Sequence, residues 1–328
     1  RDCLLSRGLG DVYKRQIVML SACGDNDEWE NEDTNGKVEL GVSASVNEGK
    51  MTRASNTTWY QNDKIGIYGT SGNVGYTNVQ YICKEPAKGN FQAYTTAVYY
   101  GAETGTFTAY HPYLDLNASK NAALVENGKI KLDTSDQLER EVDYLYAPAV
   151  SGSKQNPEVA FIFDHKMSKL ALHLGAGVGV GAYEDIPSAF RFELSPLAQE
   201  GTFDPATGVI EATGTPSVMS FTQWDKAAAS VDTENQAAGY QSVFNLYLLP
   251  QQTIIGGLEL RVISKNPEVV YKAVLKDADG NLTLEPGMVY DFFIKVNKTA
   301  ITVNGATISE WRPAVLPDGG KVDTGIWN

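Results

Sequence analysis

The chain has 328 residues and carries 40 Asp and Glu against 27 Lys and Arg, so its formal net charge is −13. This acidic balance argues against a duplex nucleic-acid binder, because such proteins need a basic face to displace phosphate counterions. The length predicts two domains of roughly 150 residues each. Only three cysteines are present, and Cys83 alone lies in the body of the chain, which excludes a disulfide framework and a multi-cysteine zinc site.

A short segment near the N-terminus resembles an export signal. Residues 20–23 read LSAC and resemble the lipobox of bacterial lipoproteins, in which the signal peptidase cuts before the cysteine, here Cys23, and lipid is attached to it. The apolar run at residues 17–20 is shorter than the roughly 7–15 residues of a working signal. Residues 1–16 resemble translated adapter sequence and are expected to be non-native, so residues 1–23 are interpreted as a signal remnant. A chance match of four residues is the alternative.

The next segment, residues 24–36, contains six acidic side chains and no basic one. Low hydrophobicity and like-charge repulsion predict an extended, solvated tether. Acidic residues directly after a lipobox cysteine also resemble the surface-export signal of lipoproteins from Bacteroides-type bacteria. No run approaches the roughly 18 apolar residues of a membrane-spanning helix. Attachment to the outer membrane is therefore expected through lipid on Cys23.

From residue 37 onward, apolar and polar residues alternate with a period of two, which is the pattern of half-buried strands. In the first such segment one face carries Val38, Leu40, Val42, Ala44 and Val46. Strands that recur every ten or so residues, with turns between them, indicate an all-β chain of antiparallel β-sandwiches. A turn-rich stretch at 148–157 predicts the boundary, which gives an N-terminal sandwich at 37–149, a C-terminal sandwich at 156–312 and a tail at 313–328.

Residues that could carry catalysis are scarce. The three histidines, His111, His165 and His173, lack partners at the spacing of a zinc-protease helix, so each is interpreted as structural. The glycine-rich residues 174–181 are not followed by a helix pattern that could bind phosphate, and they predict a loop. Residues 277–281 lack the spacing of a calcium loop and predict a tight hairpin turn. The sequence therefore predicts no enzyme, no metal and no cofactor.

Several strings, taken in order, resemble the fimbrillin family of surface proteins from Bacteroides-type bacteria. These strings are Thr52 to Ser55 followed by Trp59, Asp63 to Tyr68, Phe107 to Tyr113, Asp143 to Ala147, Phe163 to Leu170, Pro286 to Tyr290 and Val296 to Thr299. The chain departs from the family pattern at Asn62, where the family has Gly, and at His111, where it has Tyr. The resemblance covers about residues 52–311. It implies two tandem transthyretin-like β-sandwiches in a subunit of a type V pilus or a related adhesin.

The family resemblance also implies a way of assembling. In this family a protease cuts the precursor after an Arg or Lys and removes the first strand, and a strand donated by another subunit then fills the groove. Here the cut is expected between Arg53 and Ala54, which would displace the strand at 38–46. The candidate donor is the C-terminal stretch 315–328, which carries Val322, Ile326 and Trp327. The alternative for Arg53 is an ordinary exposed residue in a loop.

More than one surface role stays open from the sequence. The expected role is a non-enzymatic structural or adhesive subunit, polymerising or at the tip of a pilus, with other pilus subunits as partners. A stand-alone surface lipoprotein that binds a glycan or a host protein is the alternative. A pilus anchor that keeps its lipid and its first strand is a third role. Nucleic acid is not expected as a partner in any of them.

Overall fold

The structure is a computed structural model of the chain. It describes residues 37–47, 59–135, 143–179, 190–222, 235, 237–240, 242–264, 270–297 and 301–310. These residues form 21 β-strands and two short 3-10 helices, Pro86–Lys88 and Ser119–Leu124. None of the helices among the described residues has both the length and the apolar character needed to cross a membrane. The all-β prediction is confirmed.

Nine strands make up the first half of the described chain. They are β1 (Gly41–Val46), β2 (Lys64–Ser71), β3 (Val74–Glu85), β4 (Asn90–Ala93), β5 (Thr104–His111), β6 (Val125–Glu126), β7 (Lys129–Asp133), β8 (Leu145–Ser153) and β9 (Glu158–His165). Seven of them form a closed barrel in the order β1-β4-β3-β2-β5-β8-β9, and β9 pairs with β1 to close it. Their inward-facing residues share one core, which includes Tyr81, Phe107, Phe161 and Phe163 and also Trp59 from the segment before β2.

The remaining twelve strands follow. They are β10 (Ser168–Ala176), β11 (Phe190–Leu197), β12 (Glu200–Asp204), β13 (Val209–Ala212), β14 (Ser217–Thr222), β15 (Ser242–Leu248), β16 (Gln251–Ile254), β17 (Leu258–Ser264), β18 (Val270–Leu275), β19 (Leu282–Leu284), β20 (Met288–Val296) and β21 (Ile301–Glu310). Two four-stranded sheets, β15-β10-β20-β21 and β14-β11-β17-β18, share one hydrophobic core. The Phe244 ring of the first sheet lies 5.5 Å from Phe192 and 5.8 Å from Phe221 of the second. This half is therefore a β-sandwich.

A third sheet, β13-β12-β7-β6, combines strands from both halves of the chain. In it β7 pairs with β12, from Asp133 opposite Glu200 to Ile130 opposite Phe203. The Phe203 ring is buried against Tyr144 at 4.9 Å and Tyr110 at 5.8 Å. Backbone pairing and aromatic packing thus join the barrel to the sandwich. The small sheet β16-β19 completes the described fold.

The strand directions of the predicted architecture need a correction. The pairs β1–β9 and β10–β20 are parallel, which alternation cannot reveal because side chains alternate in both strand directions. The stretch at 148–157, where the boundary was predicted, covers residues 148–153 of β8 and the connection to β9, and both strands belong to the barrel. The division into two domains and the transthyretin-like description of the two halves stay predictions.

The turn predicted at residues 277–281 is present, but it is not a hairpin. The Asp277 carboxylate accepts hydrogen bonds from the backbone N–H groups of Asp279 at 2.9 Å and Asn281 at 3.0 Å, and Gly280 has a φ of 83°. This is the chemistry of an Asx turn. The turn connects β18 with β19, which belong to different sheets. The Asp277 carboxylate is therefore engaged in hydrogen bonds within the turn.

Candidate functional site

The strand that was predicted to be displaced, β1, closes the barrel. It pairs with β4 in antiparallel fashion, where Val42 lies opposite Phe91, and with β9 in parallel fashion along its whole length. Backbone N–H groups of Leu40, Gly41 and Ala44 donate to carbonyls at 2.8–3.1 Å on the flanking segments. If β1 left, the facing edges of β4 and β9 would lose these partners. This gap between β4 and β9 is called the β1 slot below.

The side chains of β1 and its flanks follow the predicted alternation. Leu40, Val42 and Ala44 are buried in the barrel core, with 1%, 6% and 7% of their surface exposed. Val38 and Val46 are half-buried and pack against the same core. Full burial of a Val or Leu side chain contributes about 1.5–3 kcal/mol. The strand is therefore held by its side chains as well as by its backbone, while its role as a displaced strand stays a prediction.

The two ends of the strand are also fixed. At its C-terminal end, Asn47 donates through its backbone to Phe163 O at 2.8 Å and through its side chain to Asp164 Oδ1 at 2.8 Å. At the other end, the Lys37 ammonium lies 5.7 Å from the centre of the Tyr99 ring. Residues 48–58 follow Asn47 and lie outside the described residues. Any cut in that segment would fall directly after the last anchored residue of β1.

Gly89 directly precedes β4 and approaches β1 closely. Its carbonyl accepts the Ala44 N–H at 2.8 Å, and its φ is +66°. A Cβ built on Gly89 would overlap the carbonyl oxygen of Ala44. Both the left-handed backbone and the lack of space require glycine at this position.

Gly89→Ala is expected to loosen β1 without unfolding the sandwich, because the added methyl group strains the backbone and pushes against Ala44. Hydrogen exchange measured by mass spectrometry should show faster exchange in residues 40–47 than in the wild type. Gly280→Ala is the matched control, since Gly280 also has a positive φ but has open space around it. Equal loosening of β1 in both variants would contradict this reading of Gly89.

A buried aromatic side chain also contacts β1. The indole N–H of Trp59 donates to the Ala44 carbonyl at 2.8 Å, and only 7% of Trp59 is exposed. In the sequence, Trp59 is visible only as part of the string that resembles the fimbrillin family. A lone Trp at the end of a polar stretch suggests a buried anchor, but its partner lies 15 residues away and comes into contact only in the folded barrel.

The remaining predicted site residues lie outside the described residues. These are Cys23, Arg53, Ala54, Val322, Ile326 and Trp327. Cys83 is a free, fully buried thiol, and burial raises its pKa. It therefore behaves as a small core residue, as expected for a buried thiol without an activating base.

Each histidine is held by structural contacts. His173 lies on the face of β10 opposite to Leu172 and Leu174, as predicted, yet it is buried: its ring stacks on Phe293 and its Nε2 lies 2.7 Å from Asp291. His165 Nδ1 lies 2.5 Å from an Asp143 oxygen. Across the described residues, no cluster of three or more His, Cys, Asp or Glu side chains could hold a metal ion.

The surroundings of His111 predict a pH dependence of the barrel's stability. Its Nδ1 lies 2.9 Å from the Lys64 carbonyl, and its ring makes a T-shaped contact with Trp59. Burial lowers the pKa of His111, and the Lys64 carbonyl and the carboxylates of Asp63 and Asp143 oppose this only in part. As the pH falls below the ordinary value of about 6.5, the unfolded chain takes up the proton before the folded chain does. The contribution of neutral His111 to the free energy of unfolding is therefore complete above about pH 6.5 and is lost as the pH falls below it.

We expect the free energy of unfolding to fall more steeply between pH 7.5 and 5 (about the range in which histidine titrates) in the wild type than in His111→Asn. Asparagine keeps a donor near the position of Nδ1 but does not titrate. Urea unfolding followed by tryptophan fluorescence at several pH values provides the measurement. Parallel pH profiles for the two proteins would contradict the assignment.

Comparison with known proteins identifies the family. Residues 52–311 match the family described as fimbrillin-like. A relative from Bacteroides uniformis, named "Putative fimbrium subunit Fim1C", is 25% identical over 306 residues, which cover 90% of this chain and 92% of the relative. Crystal structures titled "putative cell adhesion protein" from Bacteroides uniformis and Bacteroides ovatus are similar in fold, with TM-scores of 0.64 and 0.62 at 21% and 22% identity. Each match covers 85% of this chain, and 100% and 99% of the two solved chains. The chain therefore belongs to the fimbrillin-like family.

Proposed function

We propose that this chain is a non-enzymatic, structural and adhesive subunit of a cell-surface pilus. Membership of the fimbrillin-like family over residues 52–311 supports this function, as does the relative named as a fimbrium subunit, which matches over 90% of the chain. The observation that carries the proposal is the position of β1, a single strand that closes the barrel and directly precedes the segment containing Arg53.

Assembly proceeds in this proposal by exchange of β1. A cut between Arg53 and Ala54 releases the chain before residue 54, including β1, from its covalent link to the barrel. The emptied slot exposes apolar core residues and unpaired backbone groups of β4 and β9, and both are unfavourable in water. A strand from a second subunit restores the hydrogen bonds and fills the same inward positions. The candidate donor is the stretch at 315–328 with Val322, Ile326 and Trp327.

Before the cut, the chain is held at the outer membrane by lipid on Cys23. The acidic segment 24–36 acts as a tether between that lipid and the barrel. Once β1 leaves the slot of the cut chain, lipid, tether and β1 depart together, so that strand exchange and release from the membrane become one event. A fatty-acid probe should label the wild type and not Cys23→Ser, and equal labelling of both would reject the lipid anchor.

A cleft favours ligand binding as a second candidate function. It has a volume of about 660 Å³ and lies between Ile210 of β13 and Ile254 of β16, with Pro196, Pro216 and Gln252 around it. This volume falls within the range of ordinary ligand sites. A stand-alone surface lipoprotein that binds a glycan or host protein would use such a cleft while keeping β1 in place.

The N-terminus of the protein isolated from cells distinguishes these roles. A polymerising or tip subunit should begin at Ala54, and a polymerising one should also run as a ladder of multimers on a denaturing gel. A chain that begins at Cys23 and stays monomeric supports the stand-alone lipoprotein instead. A chain that begins at Cys23 but is found within the ladder supports the pilus anchor. Only the first result agrees with exchange of β1 in this subunit.

A further inference from the structure

Trp59 is placed where it contacts both strands that border the β1 slot. Its ring packs in T-shaped contacts against Phe91 on β4 and Phe163 on β9, with ring centroids 5.0 Å and 5.4 Å apart. A third T-shaped contact, with His111 at 5.2 Å between centroids, further restricts the orientation of the indole. Its N–H group points to the Ala44 carbonyl, and this hydrogen bond is buried. Trp59 is therefore a fixed hydrogen-bond donor aimed into the slot.

A fixed acceptor lies beside this donor. The Gly89 carbonyl accepts the N–H of Ala44, and the indole of Trp59 donates to the C=O of the same residue. The regular ladder with β4 begins only at Asn90, where it faces Ser43. The indole thus takes the place of the backbone donor that β4 does not supply at this end. Ala44 is therefore hydrogen-bonded at both of its backbone groups, through its N–H to Gly89 and through its C=O to Trp59.

We propose that Trp59 and the Gly89 carbonyl together select the direction of the strand that occupies the slot. In an extended strand, the N–H and C=O of one residue point to the same side, and the N–H lies nearer the N-terminus. Reversing the strand inverts this order, so that a carbonyl faces Gly89 O and an N–H faces the indole N–H. Sliding the reversed strand can bring an N–H to the Gly89 carbonyl and a C=O to the indole only from two different residues. Those two groups are more widely spaced along the strand than the N–H and C=O of one residue, so the reversed strand cannot meet both partners at the spacing that β1 uses.

Where the strand in the slot comes from another subunit, this inference rests on the proposed function. Trp59 lies after the expected cut at Arg53, so it stays with the mature chain when β1 leaves. A buried N–H without an acceptor is unfavourable. The slot therefore accepts strands that run parallel to β9, as β1 does, and discriminates against strands of the opposite direction. Trp59 acts as a positioning residue and not as a catalytic one.

The first arm of the test uses the uncut chain and depends on neither cleavage nor exchange. Replacing Trp59 by benzothienylalanine keeps the bicyclic ring and substitutes sulfur for the N–H group. The labelling rate of a thiol placed by Val42→Cys reports how often β1 opens. Loss of the N–H should raise this rate about tenfold, since it leaves the Ala44 carbonyl unpaired. Tyr290→Phe is the control, because Tyr290 is also a buried aromatic residue with one hydrogen bond to the backbone, but lies in the sandwich.

The second arm measures direction in the chain nicked after Arg53. The probes are two labelled peptides, one with the sequence of residues 37–47 and one with that sequence reversed. The reversed peptide can place the same side chains along the slot only if its chain runs in the opposite direction to β1. The wild type should prefer the first peptide, and benzothienylalanine at position 59 should reduce this preference about tenfold. An unchanged preference, or an unchanged labelling rate in the first arm, would overturn the inference. If neither peptide replaces the bound segment, strand exchange itself is rejected, and with it the selection of an incoming strand.

Discussion

Arg53→Ala is expected to leave the chain uncut and to reduce multimers to the background level. Without the cut, β1 stays covalently linked to the barrel, and its refilling of the slot is intramolecular, so a donor strand cannot compete. The variant should also remain in the membrane fraction, because Cys23 and its lipid are not removed. Immunoblots of membrane and released fractions from cells that express either protein provide the measurement.

Lys50→Ala is the matched control for this variant. It removes a basic residue three positions earlier in the same segment, outside the described residues, and leaves Arg53 in place. The control should mature and assemble like the wild type. Arg53 is an ordinary loop residue if the Arg53→Ala chain matures and assembles normally. If both variants fail equally, the segment is needed as a whole and the cut cannot be assigned to Arg53.

Leu40→Ala is expected to lower the free energy of unfolding of the uncut chain by about 2–5 kcal/mol, the range for large-to-small changes in a packed core. Leu40 is 1% exposed and precedes the first residue of β1 in the barrel core. In the nicked chain the same change should speed the release of the segment before residue 54, because less apolar surface then holds it. Urea unfolding and size-exclusion chromatography of the nicked chain measure the two effects.

Ser43→Ala is the control on the opposite face of the same strand. Ser43 is half-buried and makes one long hydrogen bond, 3.4 Å from its Oγ to the Val159 carbonyl. The change should alter the free energy of unfolding by less than about 0.5 kcal/mol, as is usual for surface substitutions. Similar losses in the two variants would mean that the inward side chains do not hold β1 in the barrel.

The sequence was sufficient to predict β1 and its inward face but not the strands that pair with it. The alternation from Val38 to Val46 identified the inward face, because side chains of a half-buried strand alternate whatever their partners are. Its neighbours could not be predicted, since the parallel pairing with β9 joins segments more than 100 residues apart. The same limit explains why the β7–β12 pairing, which joins the two halves of the chain, could not be predicted.

The contacts that define the slot depend on tertiary structure. The sequence pattern does not reveal that the Ala44 carbonyl occupies the place that a side chain at Gly89 would need. The indole N–H of Trp59 bonds to a strand carbonyl where a backbone N–H would normally do so, and no periodic sequence pattern indicates such a replacement. Features of this kind are set by how two distant segments approach each other, and the physical rules for propensity and alternation are local.

The most direct measurement locks β1 in place after the chain has been cut. Ser43 and Ala160 are paired across β1 and β9 on the outer face, where Ala160 is exposed, and the spacing of neighbouring strands suits a disulfide. In a chain with Ser43→Cys, Ala160→Cys and the N-terminal cysteines replaced by serine, cleavage at Arg53 should proceed normally under oxidising conditions. Exchange of β1 predicts that this cut but locked chain forms no multimers, and that a reducing agent restores them. Multimers that form equally well while the disulfide is intact would contradict the account.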